Sequence, residues 1–163
     1  MRISPHLCFD GKCREAIQLY QRLLGGTIQT MLTYGESPMA SSTDPRWHDR
    51  IVHATLALKD VELTGVDMIP GSYHRPQGFF VTITVDGVAR AQDVFKSLGE
   101  GGAIQVPFAS TFWSPGFGVL VDRFNIPWEI NVSSCRLMGC WSASLRNRVA
   151  SATVGARAAQ LNR

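Results

Sequence analysis

Apolar and polar positions alternate from Ile3 to Phe9, with Pro5, Leu7 and Phe9 on one side and Ser4, His6 and Cys8 on the other. A period of two predicts a strand with one buried face. Asp10-Gly11 turns the chain, and the spacing changes. From Lys12 to Leu24 the apolar residues Ala16, Ile17, Leu19, Tyr20, Leu23 and Leu24 recur at helical intervals, and Gly25-Gly26 supplies a C-terminal stop. Thr27 to Tyr34 reads as a strand. Gly35 to Asp49, with Pro38, Pro45 and several serines, reads as a loop. Ile51 to Leu58 returns to a strand pattern, with Val52, Ala54, Leu56 and Leu58 on one face and His53 and Thr55 on the other. Lys59-Asp60 then turns into a strand over Val61 to Val66.

After a Pro- and Gly-containing linker from Pro70 to Gly78, the same order returns. Phe79, Val81, Ile83 and Val85 alternate with Phe80, Thr82 and Thr84; Val88 to Leu98 has helical spacing; Ala103 to Phe108, Gly118 to Asp122 and Trp128 to Val132 read as strands. The echo extends to identities. Asp10-Gly11, Arg14, Gly25-Gly26, Ile28 and Gln29 recur as Asp86-Gly87, Arg90, Gly101-Gly102, Ile104 and Gln105, all at an offset of 76. Glu62-Leu63 and Glu129-Ile130 match at an offset of 67. One supersecondary unit used twice is the expected meaning, each copy covering apolar surface the other leaves open. The predicted fold is α+β: two βαβββ modules forming a curved, mostly antiparallel sheet around a cavity, with the helices on the outer face. Module one spans 1–69, the linker 70–78 and module two 79–132. Side-chain alternation places Ser4, His6, Cys8, His53, Thr55, Glu62, Phe80, Thr82, Thr84, Glu129 and Asn131 on the cavity side.

At 163 residues the chain has room for one domain with a substantial core. Its net charge of +3 is unevenly spread. Residues 1–132 carry 11 Lys and Arg against all 13 Asp and Glu, whereas residues 133–163 carry five arginines and no acid. The body therefore offers no basic surface for nucleic acid. No apolar run approaches the roughly 20 residues of a membrane helix. The N-terminus lacks the apolar core of a secretion signal, and the four cysteines include no CxxC pair. A reduced, cytoplasmic location is the expectation. In the basic extension, Leu137, Trp141, Leu145 and Val149 fall at i, i+4 spacing. The segment reads as a poorly ordered tail or a short helix, and a basic arm for acidic partners or anionic lipid is the functional alternative.

Several stretches together carry a family resemblance: Pro5 to Ala16, Thr33 to Glu36, Ile51 to Ala54, Thr111 to Trp113, Phe117 to Phe124 and Ile126 to Trp128. With the βαβββ repeat, they resemble the PhnB-like branch of the vicinal oxygen chelate superfamily, which includes glyoxalases, extradiol dioxygenases and bleomycin-resistance proteins. The resemblance implies a homodimer that binds a small organic ligand in the inter-module cavity, with catalysis left open. One alternative it carries is a divalent-metal-dependent lyase or dioxygenase. Another is a drug-sequestering resistance protein.

Superfamily enzymes hold a divalent metal with His and Glu on the first and last strands of each module. Carried over, this marks Glu62 and Glu129, which the 67-residue match makes repeat equivalents. The two first-strand positions hold Ser4 and Phe80, neither a usual ligand, and His6, one pleat further on, is the candidate substitute. His6, Glu62 and Glu129 thus form the candidate metal set, a donor combination suited to a borderline or hard ion. His6 and His53 are also candidates for acid–base work near neutral pH, or for plain hydrogen bonding. Phe80, Thr82, Phe112, Trp113 and Phe117 complete the candidate lining, the aromatics serving either as an apolar ligand wall or as core or dimer-interface filling. Gly99 to Gly102 is a helix end, since no Lys-Ser/Thr follows it.

Overall fold

The computed structural model describes residues 3–133. The expectations for the basic extension lie outside those residues. Among them, eight strands and two α-helices follow in the order β1 (His6–Phe9), α1 (Cys13–Leu24), β2 (Thr27–Thr33), β3 (Ile51–Ala57), β4 (Glu62–Asp67), β5 (Val81–Val85), α2 (Val88–Gly99), β6 (Ala103–Ala109), β7 (Phe117–Val121) and β8 (Pro127–Val132), with two short 3-10 turns, Ala40–Ser42 and Pro45–Trp47, between β2 and β3. The βαβββ repeat is therefore real, and β6 starts and stops 76 residues after β2. The strands form two four-stranded mixed sheets, ordered β1-β4-β3-β2 and β5-β8-β7-β6. In each sheet the first strand pairs with the last in parallel and the other pairings are antiparallel. Among the described residues no helix is long and apolar enough to cross a membrane.

The helices cover one face of each sheet. Helix α1 buries Cys13, Ala16, Ile17, Leu19 and Tyr20, and α2 buries Ala91, Val94, Phe95 and Leu98. These join Leu7, Phe9, Leu56, Trp128 and Ile130 in one apolar cluster spanning both modules. Such burial is the dominant favourable term in folding.

Two buried carboxylates organise the polar atoms around this core. Asp67, at the end of β4, accepts the Cys13 N–H that opens α1 and the Ile51 N–H that opens β3, each at 2.8 Å. The chain thus caps α1 from a remote strand, because Lys12 makes no side-chain cap. Asp122 follows β7. Its Oδ1 accepts the N–H groups of Phe124 and Ile126, and its Oδ2 accepts the Tyr20 hydroxyl at 2.6 Å and the Trp128 indole N–H at 2.9 Å. Tyr20 belongs to module one, so this carboxylate ties α1 to the β7–β8 turn. Tyr20 also meets Trp128 and Phe124 edge to face, at 5.1 and 6.2 Å.

The sheets correct two details of the strand reading. In β2–β3 the pairing jumps from Leu32↔His53 to Thr33↔Ile51, skipping Val52. The bulge flips the alternation, so Ile51 is fully buried and Val52 only partly. The second correction concerns Glu62. His6 pairs with Thr64 and its repeat partner Thr82 pairs with Glu129, so Thr64 and Glu129 are the register equivalents, 65 residues apart. Glu62 lies one pleat away, level with Pro127: Ala57 pairs with Glu62 as Val121 pairs with Pro127.

Candidate functional site

All the predicted site residues except Glu129 fall into three places. The first is the open face of the β1-β4-β3-β2 sheet. His6 and His53 stand there with ring centroids 6.4 Å apart and planes 18° from parallel. Both residues are exposed. His6 Nδ1 lies 2.8 Å from Thr64 Oγ1, whose hydroxyl donates to Pro5 O. Partial burial lowers the pKa of His6, and the neighbouring His53 lowers it further. His53 Nε2 in turn lies 3.1 Å from Thr55 Oγ1. Glu62 is half-buried on β4.

The second place is an aromatic ladder before and at the start of β7. Phe112 meets Trp113 edge to face at 4.5 Å, and Trp113 meets Phe117 at 5.5 Å. Phe112 is 93% exposed, so the ladder projects from the surface rather than filling the core.

The third place lies in the gap between the two sheets. A cavity of about 320 Å³ opens there along the unpaired edge of β5. Phe79, Phe80, Val81, Thr82 and Ile83 form one wall. Leu58, Val61 and Leu63 from the β3–β4 hairpin also line it, as do Pro5, Leu24 and Trp128. Both alternation faces of β5 contribute, because the cavity sits on the strand's edge. Among the described residues no ionisable side chain lines it; Thr82 brings a hydroxyl, and the Trp128 indole N–H is engaged by Asp122.

Phe80 and Thr82 therefore share a cavity, His6 and His53 form a pair, and Trp113 joins Phe117. His6, Glu62 and Glu129 do not converge within the chain. Among the described residues no group of three His, Cys, Asp or Glu side chains is placed to hold a metal ion. Glu129 is half-buried on β8, in the other sheet, between Thr82 and Val119. The donor set as it stands does not fit a metal. Sequence reasoning missed Leu24, Leu58, Val61 and Trp128 as lining residues. Each reads as core by periodicity, and only the position of the sheet edge reveals the gap.

No family model matches the chain. The protein YjdN of Escherichia coli (strain K12) is 31% identical over 140 residues, a match covering 81% of this chain and 95% of that protein. The crystal structure of protein PA1353 from Pseudomonas aeruginosa is 38% identical with a TM-score of 0.75, covering 82% of this chain and 98% of that one. A PhnB protein from Bacillus cereus is 25% identical with a TM-score of 0.71, covering 82% of this chain and all of that one.

Proposed function

Because the chain belongs to the PhnB-like branch of the vicinal oxygen chelate superfamily, we propose that it binds a small, largely apolar organic molecule in the gap between its modules. The observation that carries this reading is the chemistry of the inter-module cavity. Among the described residues its lining is apolar and aromatic, with the Thr82 hydroxyl for orientation and no acid or base to move a proton. Such a lining favours retention over turnover, in the manner of a sequestering protein. At about 320 Å³ it suits a ligand of one or two rings.

The test uses 1-naphthol as a neutral apolar probe, followed by NMR shift perturbation. Val61 is partly exposed on the cavity rim, so Val61→Trp fills the space at little cost to folding. Saturable binding to the wild type, with shifts centred on β5 and lost in V61W, supports the reading. Absence of saturation, or binding indifferent to V61W, refutes it. A stoichiometric divalent metal in protein purified without chelator, lost in Glu129→Gln, would instead favour the metal-dependent alternative.

The homodimer is part of the same proposal. Edge strand β6 exposes 57% of Ile104 and 43% of Val106, and Phe112 projects nearby in sequence. Exposed apolar groups of this kind favour association. Light scattering on V106D should return a monomer mass if the β6 edge is the contact.

A further inference from the structure

The long β2–β3 connection builds a second cavity, which shares no residue with the inter-module gap. It measures about 570 Å³, in the range of small-molecule sites. Met39 and Trp47 come from the connection, and Ile69 and Pro70 from the segment after β4. The connection is held in shape by its own bonds. Tyr34 N–H donates to Arg50 O, Gly35 N–H to His48 O, and the His48 ring reaches the carbonyls of Ala40 and Thr43 at 3.1 Å. The Tyr34 hydroxyl donates to Asp67 O, fixing the base of the loop to β4.

Two arginines line this cavity, and their charges are not equivalent. Arg46 forks onto Asp44, with Nη2 to Oδ2 at 2.7 Å and Nε within 3.2 Å of both oxygens, so its charge is compensated. Arg50 lies over the Trp47 ring at 5.6 Å and donates Nη1 to Gly11 O at 2.6 Å. Among the described residues it makes no ion pair, although the buried Asp67 carboxylate feels its charge. Four of its five N–H donors remain available. Trp47 adds an unbalanced donor, for its Nε1 is buried without an acceptor among the described residues.

A guanidinium outside any ion pair, beside an indole and among the apolar Met39, Ile69 and Pro70, selects for charge and flatness together. We propose that this cavity is a separate ligand site, taking an organic monoanion whose flat apolar body lies on Trp47 and whose carboxylate or equivalent head is held by Arg50.

Titration with 1-naphthoate, followed by calorimetry and NMR, tests this. The wild type should bind it saturably, with 1-naphthylmethanol at least tenfold weaker because it lacks the charge. Arg50→Gln should weaken naphthoate at least tenfold. That variant also loses the Gly11 contact, so Ile69→Trp provides an independent check: Ile69 is 47% exposed, and an indole there occupies the cavity without touching the core. I69W should abolish binding and keep the melting temperature, while Val61→Trp should leave naphthoate affinity unchanged. Equal affinity for the neutral probe, indifference to R50Q or I69W, or loss of binding in V61W would each overturn the proposal.

Discussion

Asp122→Asn is the substitution with the most sharply defined consequence. The residue is 2% exposed and its carboxylate accepts four hydrogen bonds, two on each oxygen. Asparagine keeps the shape and replaces one oxygen with an NH2 group. If the amide nitrogen takes the Oδ1 position, two buried backbone N–H groups face a donor. The less costly orientation puts it at Oδ2. There the Tyr20 hydroxyl can turn to accept, but the Trp128 indole N–H, on a fully buried side chain, is left without an acceptor. An orphaned buried donor costs about 1–3 kcal/mol, and losing the charge weakens the remaining bonds by about 1 kcal/mol more in total. The expected destabilisation is therefore about 3 kcal/mol, which at this chain length lowers the melting temperature by roughly 10 °C. Urea unfolding followed by tryptophan fluorescence measures it directly. Tyr20→Phe removes one charge-assisted bond and should cost about 1.5–3 kcal/mol. The Tyr20 hydroxyl stays a donor at every accessible pH, because burial and then the adjacent Asp122 push its pKa well above the usual value. In a double-mutant cycle the two substitutions should couple by at least about 1 kcal/mol. A D122N loss below about 1 kcal/mol, or additive behaviour with Y20F, would refute the claim that this carboxylate fastens α1 to module two.

Three further outcomes follow from local geometry. A Cβ on Gly26 would sit 2.3 Å from Ala57 O, whereas one on Gly25 meets nothing within 4 Å, and both residues have φ above +80°. Gly26→Ala should therefore destabilise by at least about 1 kcal/mol more than Gly25→Ala in urea titrations. The lowered pKa of His6 means that the unfolded chain binds its proton more readily, so its contribution is present above pH 6.5 and lost as pH falls through the folded-state value. NMR titration should place His6 below 6.5, and His53→Asn should raise it only part of the way, since burial is the larger cause. Burial, then Asp67, pushes the Cys13 thiol far above its usual range, while Cys8 is only half-buried. Iodoacetamide at pH 8 followed by peptide mapping should therefore find Cys8 modified and Cys13 intact.

The sequence discloses those parts of the molecule that depend on neighbouring residues. Turns at Asp10-Gly11 and Asp86-Gly87, the helical spacing and the change of period are local, and the elements stand where they predict. The bulge at Val52 is different. Ile51 and Val52 are both apolar, so nothing in the pattern says which one turns inward, and the decision falls to the ladder with β2. Glu62 fails as the counterpart of Glu129 for a related reason. Matching Glu-Leu to Glu-Ile compares letters, whereas equivalence in a sheet is set by the parallel pairing with β1 or β5, contributed by residues more than 40 positions away.

The site shows the same limit in a form that bears on function. Alternation assigns a residue to a face, but the inter-module cavity lies on an edge, and Phe80 and Thr82 line it together with Phe79, Val81 and Ile83. An edge is defined by which strand does not pair, and periodicity carries no record of that. The repeat then explains why the cavity has one character only. The positions matching Phe80 and Thr82 in module one are Ser4 and His6, so β5 brings an apolar border to the gap while β1 turns its histidine onto the open sheet face beside His53. Had the modules stayed alike at these positions, an ionisable group would stand at the same place along both edge strands. Their divergence separates an apolar binding gap from a titratable surface pair, and introducing Thr82→His tests that separation directly. The variant should weaken 1-naphthol binding below pH 6, where the new imidazole is charged, and leave it near the wild-type value at pH 8. A pH-independent loss would mean that Thr82 acts through shape rather than polarity.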